Sequence, residues 1–467
     1  MLERLKKWFR GVLGWMMNLS LIEQAEQTAI AVSAPMNRAI GLWMDMYMGN
    51  APWLSDSVAG MNLAASIASE VSRMATIEMK SVVGGSARAD YLDAQYRRIV
   101  DDARSFTEYA AAGGSIALKP YVDGGQIIVD YVRAGMFLPT AFSASGEVSG
   151  CIFLDRMTKG EAVYTRMEHH RMVPEGCRVT NKAYRNTTGS DGLGEPVELA
   201  AVDEWADIEP ETTFTKVTRP LFAILKMPFA NTIDPQSPMG ISAYARAVEL
   251  IEEADKQFSR VLWEMESGQR ALYVDIRAFR DDEAEPGALP FKRFYRTMDG
   301  GVENDSLYQE WSPTLREQNQ INALNEIMQR IEDACGLSRG TLSDAPESSA
   351  GGAKTATELK IMRQRTYATV RDVQKAVETA LRQLLWAMDV LATAYDLAPL
   401  GEYEVSFEFD DSVVSDRGTE FVERSQLVQL GVMEPWELRM WYLGETEANA
   451  RARTGAPPAE DDGIPEV

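Results

Sequence analysis

The spacing of hydrophobic residues changes from helical to strand-like near residue 113. Residues 20–112 are rich in Ala and Met with few β-branched runs, which predicts helices, two of them over about 58–80 and 90–112. Gly113 and Gly114 mark the end of the second helix, because glycine is a common helix stop. Short β-prone segments follow and predict strands at Ser115–Pro120, Gln126–Arg133, Gly150–Arg156, Ala162–Val173 and Cys177–Tyr184.

Residues 185–213 interrupt this strand-rich region with turn formers and acidic residues, which predicts a loop or a poorly ordered insertion. Phe214–Phe229 is strand-like again, and a Pro-rich turn follows at Asn231–Gly240. Protease should therefore cut the insertion first.

Three amphipathic helices dominate the second half. The first is predicted over Ser242–Glu266, where apolar positions recur on average every 3.5 residues and form one packing stripe. The stripe consists of Tyr244, Val248, Ile251, Ala254, Phe258, Val261 and Met265. The second spans Pro313–Cys335, with Ser312 as N-cap and Gly336 as its stop. The third starts with a capping box at Thr355 and runs to about residue 395; at ~60 Å, a helix of that length is expected to kink.

Shorter elements lie between and after these helices. A β-rich piece over 268–311 has predicted strands at Ala271–Ala278 and Leu289–Thr297. Ser343–Ala353 is small, polar and Gly-rich, which predicts a mobile loop. After the third helix come a strand and two short helices, and the acidic tail 451–467 is predicted to be disordered. Their predicted bounds are Glu404–Phe409, Asp416–Leu430 and Pro435–Leu443.

Charge narrows the possible partners. Acidic residues number 70 against 47 basic ones, a formal net charge of −23. Such a chain lacks the broad basic surface that grips nucleic acid, although DNA could still pass through a like-charged channel. The third helix is the basic exception, and Lys354 beside the loop is the base best placed to meet phosphates. Its seven bases are Lys354, Lys360, Arg363, Arg365, Arg371, Lys375 and Arg382.

Cysteines and the N-terminus give weaker indications. Three cysteines argue against a disulfide framework and favour a reducing compartment, while a Cys151–Cys177 bridge stays possible. No apolar run is long enough for a transmembrane helix. Residues 1–22 are amphipathic, which fits a packed helix best and leaves open interfacial membrane binding or an export signal.

Candidate chemistry is sparse. His169 and His170 are the only histidines, and as neighbours on a strand they face opposite sides, which disfavours a metal bound by both. A Ser–His–Asp triad would need one of them as its base, and no G-x-S-x-G motif offers the nucleophile. Gly352 and Lys354 miss the phosphate-loop spacing by one residue. The acid pairs at 281–282 and 410–411 could hold Mg²⁺. We therefore predict no catalytic residue, metal or cofactor, and keep as alternatives a Mg²⁺-dependent DNA-processing enzyme and a membrane-associated protein held by residues 1–20.

Four stretches in this order resemble the portal proteins of tailed bacteriophages, nearest to those of phages with long non-contractile tails. They are GGSIALKPYVDGGQIIVDYV, YTRMEHH, the junction from Leu221 to Val274, and the segment from Leu324 to Lys360. Together they lie within a resemblance that runs from about residue 85 to 450.

The resemblance implies an α+β fold with the portal architecture: an α/β wing, a helical stem, a β-rich clip, a long kinked helix and a mostly helical crown. Mapped onto this chain, the regions are the wing 1–240, stem helices 241–267 and 312–336, the clip 268–311, the tunnel-loop region 337–353, the long helix 354–400 and the crown 401–450.

The same resemblance implies a structural protein of the virion, not an enzyme. A ring of twelve copies would form a double-stranded DNA channel at one capsid vertex. The ring would serve head assembly, genome packaging, head–tail joining and DNA ejection. Its partners would be the terminase large subunit, head–tail adaptors, and capsid and scaffold proteins, with no membrane, and it would assemble in the host cytoplasm.

Two residue sets carry the implied roles. The residues implied to line the DNA channel are Ser343, Asp344, Ala345, Pro346, Glu347, Ser348, Ser349 and Lys354. The stem residues implied to pack against neighbouring subunits are Tyr244, Val248, Ile251, Phe258, Val261 and Met265.

Overall fold

The structure is a computed structural model that describes residues 19–187, 192–268, 271–275, 295–298, 308–311, 316–344, 356–409, 417–443 and 447–454. It mixes helices with mainly antiparallel strands, which confirms the α+β prediction. The described residues group into two compact units. The first contains those from 19 to 344 and from 364 to 408, and the second contains 356–363, 409, 417–443 and 447–454.

Helices form the N-terminal part, as predicted. They and the first strand are α1 (19–26), α2 (Ala34–Tyr47), α3 (Leu63–Thr76), β1 (Met79–Gly84), α4 (Ala87–Asp101) and α5 (Ala103–Gly113). Serine side chains cap two of the helices: Ser33 accepts from the Met36 N–H of α2, and Ser86 from the Ala89 N–H of α4. The predicted glycine stop is confirmed, because Gly114 ends α5 in the left-handed conformation, with φ of +83°.

Two helix predictions in this region are wrong in extent. The helix predicted over 58–80 is shorter, because Met79–Gly84 is a strand. The helix predicted over 90–112 is two helices that meet at Asp102.

Antiparallel strands follow in two sheets. Their bounds are β2 (Ser115–Asp123), β3 (Gln126–Arg133), β4 (Phe137–Phe142), β5 (Val148–Lys159), β6 (Ala162–Val173), β7 (Gly176–Thr187), β8 (Glu195–Val197), β9 (Glu211–Thr215) and β10 (Ala223–Lys226). One sheet has the order β10-β2-β3, and the other has the order β4-β5-β6-β7-β8 with β9 also paired to β7. All five predicted strands are confirmed, and β4 was missed.

The insertion predicted over 185–213 is more ordered than its composition suggests. It contributes β8 and the start of β9, and Trp205 between them is only 2% exposed. Trp205 packs with Leu199 and Val202 against Ala183 of β7. Burial of these apolar side chains outweighs the local turn propensity. Residues 188–191 of the insertion lie outside the described residues.

The second half contains the three long helices. Its elements are α6 (Val248–Ser267), β11 (Ala271–Asp275), β12 (Tyr295–Met298), β13 (Tyr308–Trp311), α7 (Glu317–Cys335), α8 (Ala356–Ala394), β14 (Glu404–Phe409), α9 (Arg417–Gln429), α10 (Pro435–Leu443) and α11 (Glu447–Thr454). Strands β11, β12 and β13 form a three-stranded sheet, in which β11 runs parallel to β12 and antiparallel to β13.

Two of these helices begin later than predicted. A 3₁₀ turn over Ala245–Ala247 precedes α6, so this helix begins at Val248 rather than Ser242. Helix α7 begins at Glu317 with Arg316 as its N-cap residue, so Ser312 does not cap it. The end of α7 is as predicted, because Gly336 takes the left-handed C-cap conformation.

Strand β1 pairs with β14, which lies more than 300 residues later in the chain. The Ser81 hydroxyl donates to the Ser406 carbonyl at 2.9 Å, and the Ser406 hydroxyl donates to the Val82 carbonyl at 3.4 Å. This distant pairing explains why local periodicity alone favoured a helix at residues 79–80.

The main core of the first unit lies between helices α2, α3 and α5, strand β2 and the second half of α8. Trp43 of α2 is its largest buried side chain, at 1% exposure. Arg88 is also buried there, and its guanidinium pairs with Asp389 of α8 at 3.0 Å and donates to the Ala398 carbonyl at 3.0 Å. This tie fixes the end of the long helix to α4.

The three cysteines are buried and unbridged, so the possible Cys151–Cys177 disulfide is absent. Among the helices that the structure describes, none is both long and apolar enough to cross a bilayer. Several predictions lie outside the described residues: the helix of residues 1–18, most of the β-rich piece, residues 345–355, and the tail from 455. The kink in α8 and the boundaries of wing, stem, clip and crown stay predictions.

Candidate functional site

Helices α6 and α7, the predicted stem, run antiparallel, because later residues of α6 meet earlier residues of α7. The Gln257 side chain donates to the side-chain oxygen of Gln320 at 2.6 Å, and further along α6 Glu264 accepts from the Arg316 N–H at 3.1 Å. Glu264 therefore satisfies a backbone donor at the start of α7, where a negative charge is favourable.

A loop of the N-terminal region is fastened to the same stem helix. The buried Asp255 carboxylate accepts from the Trp53 indole N–H and from the Met61 N–H, both at 2.8 Å, and one helical turn later Ser259 accepts from the Ala59 N–H at 2.9 Å. Burial raises the pKa of Asp255. These bonds hold the loop of residues 53–61 against the first half of α6.

The predicted stem stripe is divided between the chain's own core and its surface. Tyr244 precedes the helix and is buried, and its hydroxyl donates to the Trp43 carbonyl at 2.8 Å. Ile251 and Val261 are also buried within the chain, while Val248 and Phe258 are partly buried. These residues therefore pack mainly within the chain, and Met265 alone of the six is exposed.

The C-terminal part of α6 presents an apolar surface that the stripe did not reveal. Trp263 is 65% exposed, and its neighbours Leu262 and Met265 are 42% and 45% exposed. We call these three residues the stem patch. A large aromatic side chain at this exposure, next to two other apolar residues, marks a surface that gains free energy when another surface covers it.

The turn between α7 and α8 is organised by one buried carboxylate, which sequence reasoning missed. Glu332 of α7 is fully buried. Its Oε1 accepts from the backbone N–H groups of Leu342 and Ser343, and its Oε2 accepts from the Ser343 hydroxyl at 2.8 Å and the Gly340 N–H at 3.2 Å. We call residues 336–344 the anchored turn.

The anchored turn is also bonded to α8. The Thr366 hydroxyl accepts from the Ser338 N–H at 2.8 Å, and the Thr369 hydroxyl donates to the Gly336 carbonyl at 2.9 Å. Nearby, Asp333 of α7 pairs with Arg339 of the turn at 2.8 Å and Arg365 of α8 at 2.7 Å. Hydrogen bonding to these guanidinium groups lowers the pKa of Asp333.

Of the eight predicted channel residues, the structure describes two. Ser343 is 9% exposed and its hydroxyl bonds to Glu332, so its side chain belongs to the anchored turn and does not point to solvent. Asp344 is exposed, and its N–H donates to the Asn325 side chain at 2.8 Å. Ala345, Pro346, Glu347, Ser348, Ser349 and Lys354 lie outside the described residues.

The basic residues of α8 differ in their surroundings. Arg365 is bound to Asp333, and Arg382 pairs with Glu378 at 2.8 Å. Arg371 and Lys375 lie on the exposed side of the same helix. Part of the predicted basic excess is thus neutralised within the chain by ordinary i,i+4 and helix–helix pairs.

The two histidines face opposite ways, as predicted. His169 contacts Glu26 of α1 at 2.9 Å and the Thr140 hydroxyl at 3.2 Å, whereas His170 contacts Glu168 at 2.7 Å. In the described part of the chain, no three metal-binding side chains converge. The acid pairs 281–282 and 410–411 lie outside the described residues. The contacts of His169 and His170 are thus hydrogen bonds and ion pairs within the chain.

The chain was compared with known protein sequences, solved structures and protein families. A search of curated protein sequences found no match. One similar solved structure comes from the neck of a native GTA particle computed with C12 symmetry; it is 13% identical, covers 90% of this chain and 94% of that chain, and has a TM-score of 0.40. Another comes from the neck of an empty GTA particle computed with C6 symmetry, with the same identity and coverage and a TM-score of 0.41.

A family model gives the assignment. The model for "Phage portal protein, SPP1 Gp6-like" matches residues 97–445. That range includes strands β2 to β14, helices α6 to α10 and the anchored turn. The match covers well over half of the 467 residues, so the chain belongs to the SPP1 Gp6-like family of phage portal proteins.

Proposed function

We propose that this chain assembles into a ring of about twelve copies that forms a double-stranded DNA channel at one vertex of the capsid. The family match over residues 97–445 is the observation that carries the proposal. The stem patch adds a surface feature of the right kind, because three exposed apolar side chains on a rigid helix suit a contact between copies.

The negative charge of the chain suits a channel through which DNA passes better than a surface that binds DNA tightly. Each copy carries a formal charge of −23, so the assembled ring is strongly negative. Protein grips DNA mainly by displacing counterions with Lys and Arg, and an acidic wall offers little of this exchange. DNA can then slide without long-lived contacts, which packaging and ejection both require.

A ring at the capsid vertex would also take part in head assembly, DNA packaging and DNA release. At the vertex the ring nucleates head assembly with capsid and scaffold proteins in the host cytoplasm. It then receives the terminase large subunit for packaging and later the head–tail adaptors, and in the virion it releases the DNA. In this role the chain is structural and holds no catalytic group or cofactor. The segment from Ala345 to Lys354 extends from the anchored turn into the channel and contacts the DNA.

Ring formation tests the proposal directly. Trp263→Ser removes the largest exposed apolar side chain of the stem patch and should shift the protein from rings towards folded monomers, as seen by negative-stain microscopy and sedimentation. Tyr395→Ser is the matched control, because Tyr395 is also an exposed aromatic residue, at 52%, but lies at the end of α8. The control should form rings as the parent does.

Two outcomes count against the proposal. If the parent protein stays monomeric at every salt concentration and in head assembly, the ring itself is wrong. If Trp263→Ser forms rings as well as the parent and Tyr395→Ser do, the stem patch is not a subunit contact.

A further inference from the structure

We propose that Glu332 is a positioning residue that fixes the direction in which the segment after Asp344 leaves the stem. This inference rests on the proposed function, because it assigns a mechanical role to the base of the channel segment. It concerns a side chain that is fully buried, at 0% exposure.

The first reason is the unusual number of donors around one carboxylate. Glu332 accepts from three backbone N–H groups and one hydroxyl, all from the five residues between Gly340 and Asp344. In the described part of the chain, no ion pair includes Glu332. Backbone dipoles therefore hold this charge, in the manner of a small anion nest.

The second reason is that two of the donors, Leu342 and Ser343, are consecutive in the chain and lie directly before the last described residue of the turn, Asp344. Oε1 takes the N–H groups of Leu342 and Ser343, so the carboxylate fixes the orientation of two successive peptide planes. Asn325, almost two turns earlier on α7, accepts the next N–H of the chain, that of Asp344, with its side-chain oxygen at 2.8 Å. The backbone therefore leaves α7 along a direction set by two side chains of that helix.

The third reason is that the same turn is fixed to α8. Ser338 bonds to Thr366, and Gly336 bonds to Thr369, so the anchored turn is attached to both helices. A force on the channel segment cannot be absorbed by rotation within the turn without breaking the bonds to Glu332. The force is instead passed to α7 and α8, which makes Glu332 a link between the DNA-contacting segment and the stem.

The test uses assembled rings and filled heads. Glu332→Gln keeps the size of the side chain, removes the charge, and turns an NH₂ group towards two of the donors. Glu326→Gln is the matched control, because Glu326 lies on the same helix, is exposed, and pairs with Arg330 at 2.9 Å. Ser343→Ala removes the hydroxyl that donates to Glu332 and that also accepts from the Gly340 N–H at 3.1 Å, and it leaves the N–H groups of Leu342 and Ser343 bonded to Glu332.

We expect Glu332→Gln rings to form, with amide hydrogen exchange at Gly340, Leu342 and Ser343 faster by roughly tenfold or more, as loss of a charge-assisted bond predicts. Nuclease-resistant DNA in filled heads should fall, while Glu326→Gln matches the parent in both measurements. Ser343→Ala should show smaller changes in the same direction. If Glu332→Gln yields no rings, Ser343→Ala rings decide the question with the same two measurements.

Unchanged amide exchange would overturn the inference, and so would faster exchange with full DNA retention. Deletion of residues 347–352 separates the inference from the proposed function. If the deletion lowers DNA retention but Glu332→Gln does not, only the role of Glu332 fails. If the deletion itself retains DNA like the parent, the channel segment has no such role and both proposals for it fail.

Discussion

Glu168 of β6 lies among three basic side chains, and it shows how single residues hold the strand-rich region together. Lys119 of β2 contacts it at 2.7 Å, His170 at 2.7 Å and Arg166 at 3.1 Å. Burial alone would raise the pKa of Glu168, but Lys119, His170 and Arg166 together hold it well below its usual range. The ion pair of Lys119 and Glu168 joins the smaller sheet to the larger one.

This geometry predicts an acid-dependent stability. Because the pKa of Glu168 is lower in the folded chain than in the unfolded chain, its contribution is present above the unfolded value of about 4.3 and is lost as the pH falls through the folded pKa. Urea unfolding of the first unit between pH 7 and pH 3 should show this loss. Glu168→Gln should be less stable by about 3 kcal/mol at pH 7, because the buried Lys119 loses its close partner and keeps Asp130 at 3.9 Å. The stability of this variant should also fall less between pH 7 and pH 3 than that of the parent.

Glu204→Gln is the control for this pH series. Glu204 also pairs with a lysine, Lys159 at 2.6 Å, but the pair is exposed. Exposed ion pairs contribute little to stability, so the free energy of unfolding of the control should fall as steeply between pH 7 and pH 3 as that of the parent. If the free energy of unfolding of the parent falls no more steeply with decreasing pH than that of Glu168→Gln, the buried network does not govern acid stability.

Single residues were also the hardest features to predict from the sequence. In the sequence, Glu332 cannot be told apart from the other acidic residues of an amphipathic helix. Its partners are mostly backbone N–H groups, which every residue except proline has. Trp263 was not predicted as a surface contact, because the 3.5-residue spacing selects Val261 and Met265 instead. Only the structure shows which of these side chains are buried within the chain and which are exposed. His169 and His170 were predicted correctly, since strand alternation alone decides their faces.

At the scale of elements, helix ends show how similar backbone geometry can have different consequences. Gly49 follows α2 with φ of +72°, and Gly336 follows α7 with φ of +73°. A Cβ at Gly49 would meet no atom within 4 Å, whereas a Cβ at Gly336 would lie 2.8 Å from the Thr369 hydroxyl oxygen. The first glycine is needed for conformation only, and the second for conformation and for close approach to α8.

We therefore predict unequal costs for two alanine substitutions. Gly49→Ala should destabilise the first unit by about 1 kcal/mol, the usual cost of a left-handed non-glycine residue. Gly336→Ala should cost about 2–3 kcal/mol, since it also disturbs the bond between Thr369 and Gly336. Urea unfolding of both variants measures the difference, and equal costs would mean that Thr369 moves aside freely.

Elements with strong local patterns were predicted closely, and elements that depend on distant partners were not. The bounds of β3, β6, β14 and α10 agree with the prediction, because alternation or helical spacing extends over the whole element. Strand β1 was missed, and its first two residues were assigned to a helix, because its partner β14 lies more than 300 residues away. The late start of α6 has a similar cause, since Tyr244 is held by Trp43 of α2 rather than by its own helix.

At the scale of the whole molecule, negative charge and internal pairing act together. The most basic element, α8, uses Arg365 and Arg382 within the chain, so even its positive charge is partly compensated. The small second unit adds cation–π contacts, with Arg451 over Trp436 at 4.0 Å and Arg424 over Trp441 at 4.3 Å. Arginines used in this way are less available to phosphates, which favours weak contact with DNA in transit.

Weak contact makes a measurable prediction for the assembled ring. Binding of short double-stranded DNA, followed by fluorescence anisotropy between 50 mM and 200 mM salt, should be weak and should depend only shallowly on salt, because few phosphates are neutralised. Lys375→Glu, on the exposed side of α8, should reduce the slope by about 1 if that side meets DNA and leave it unchanged otherwise. A steep slope, corresponding to roughly 6–10 phosphate contacts, would mean that the ring grips DNA, and passage by sliding along an acidic wall would have to be abandoned.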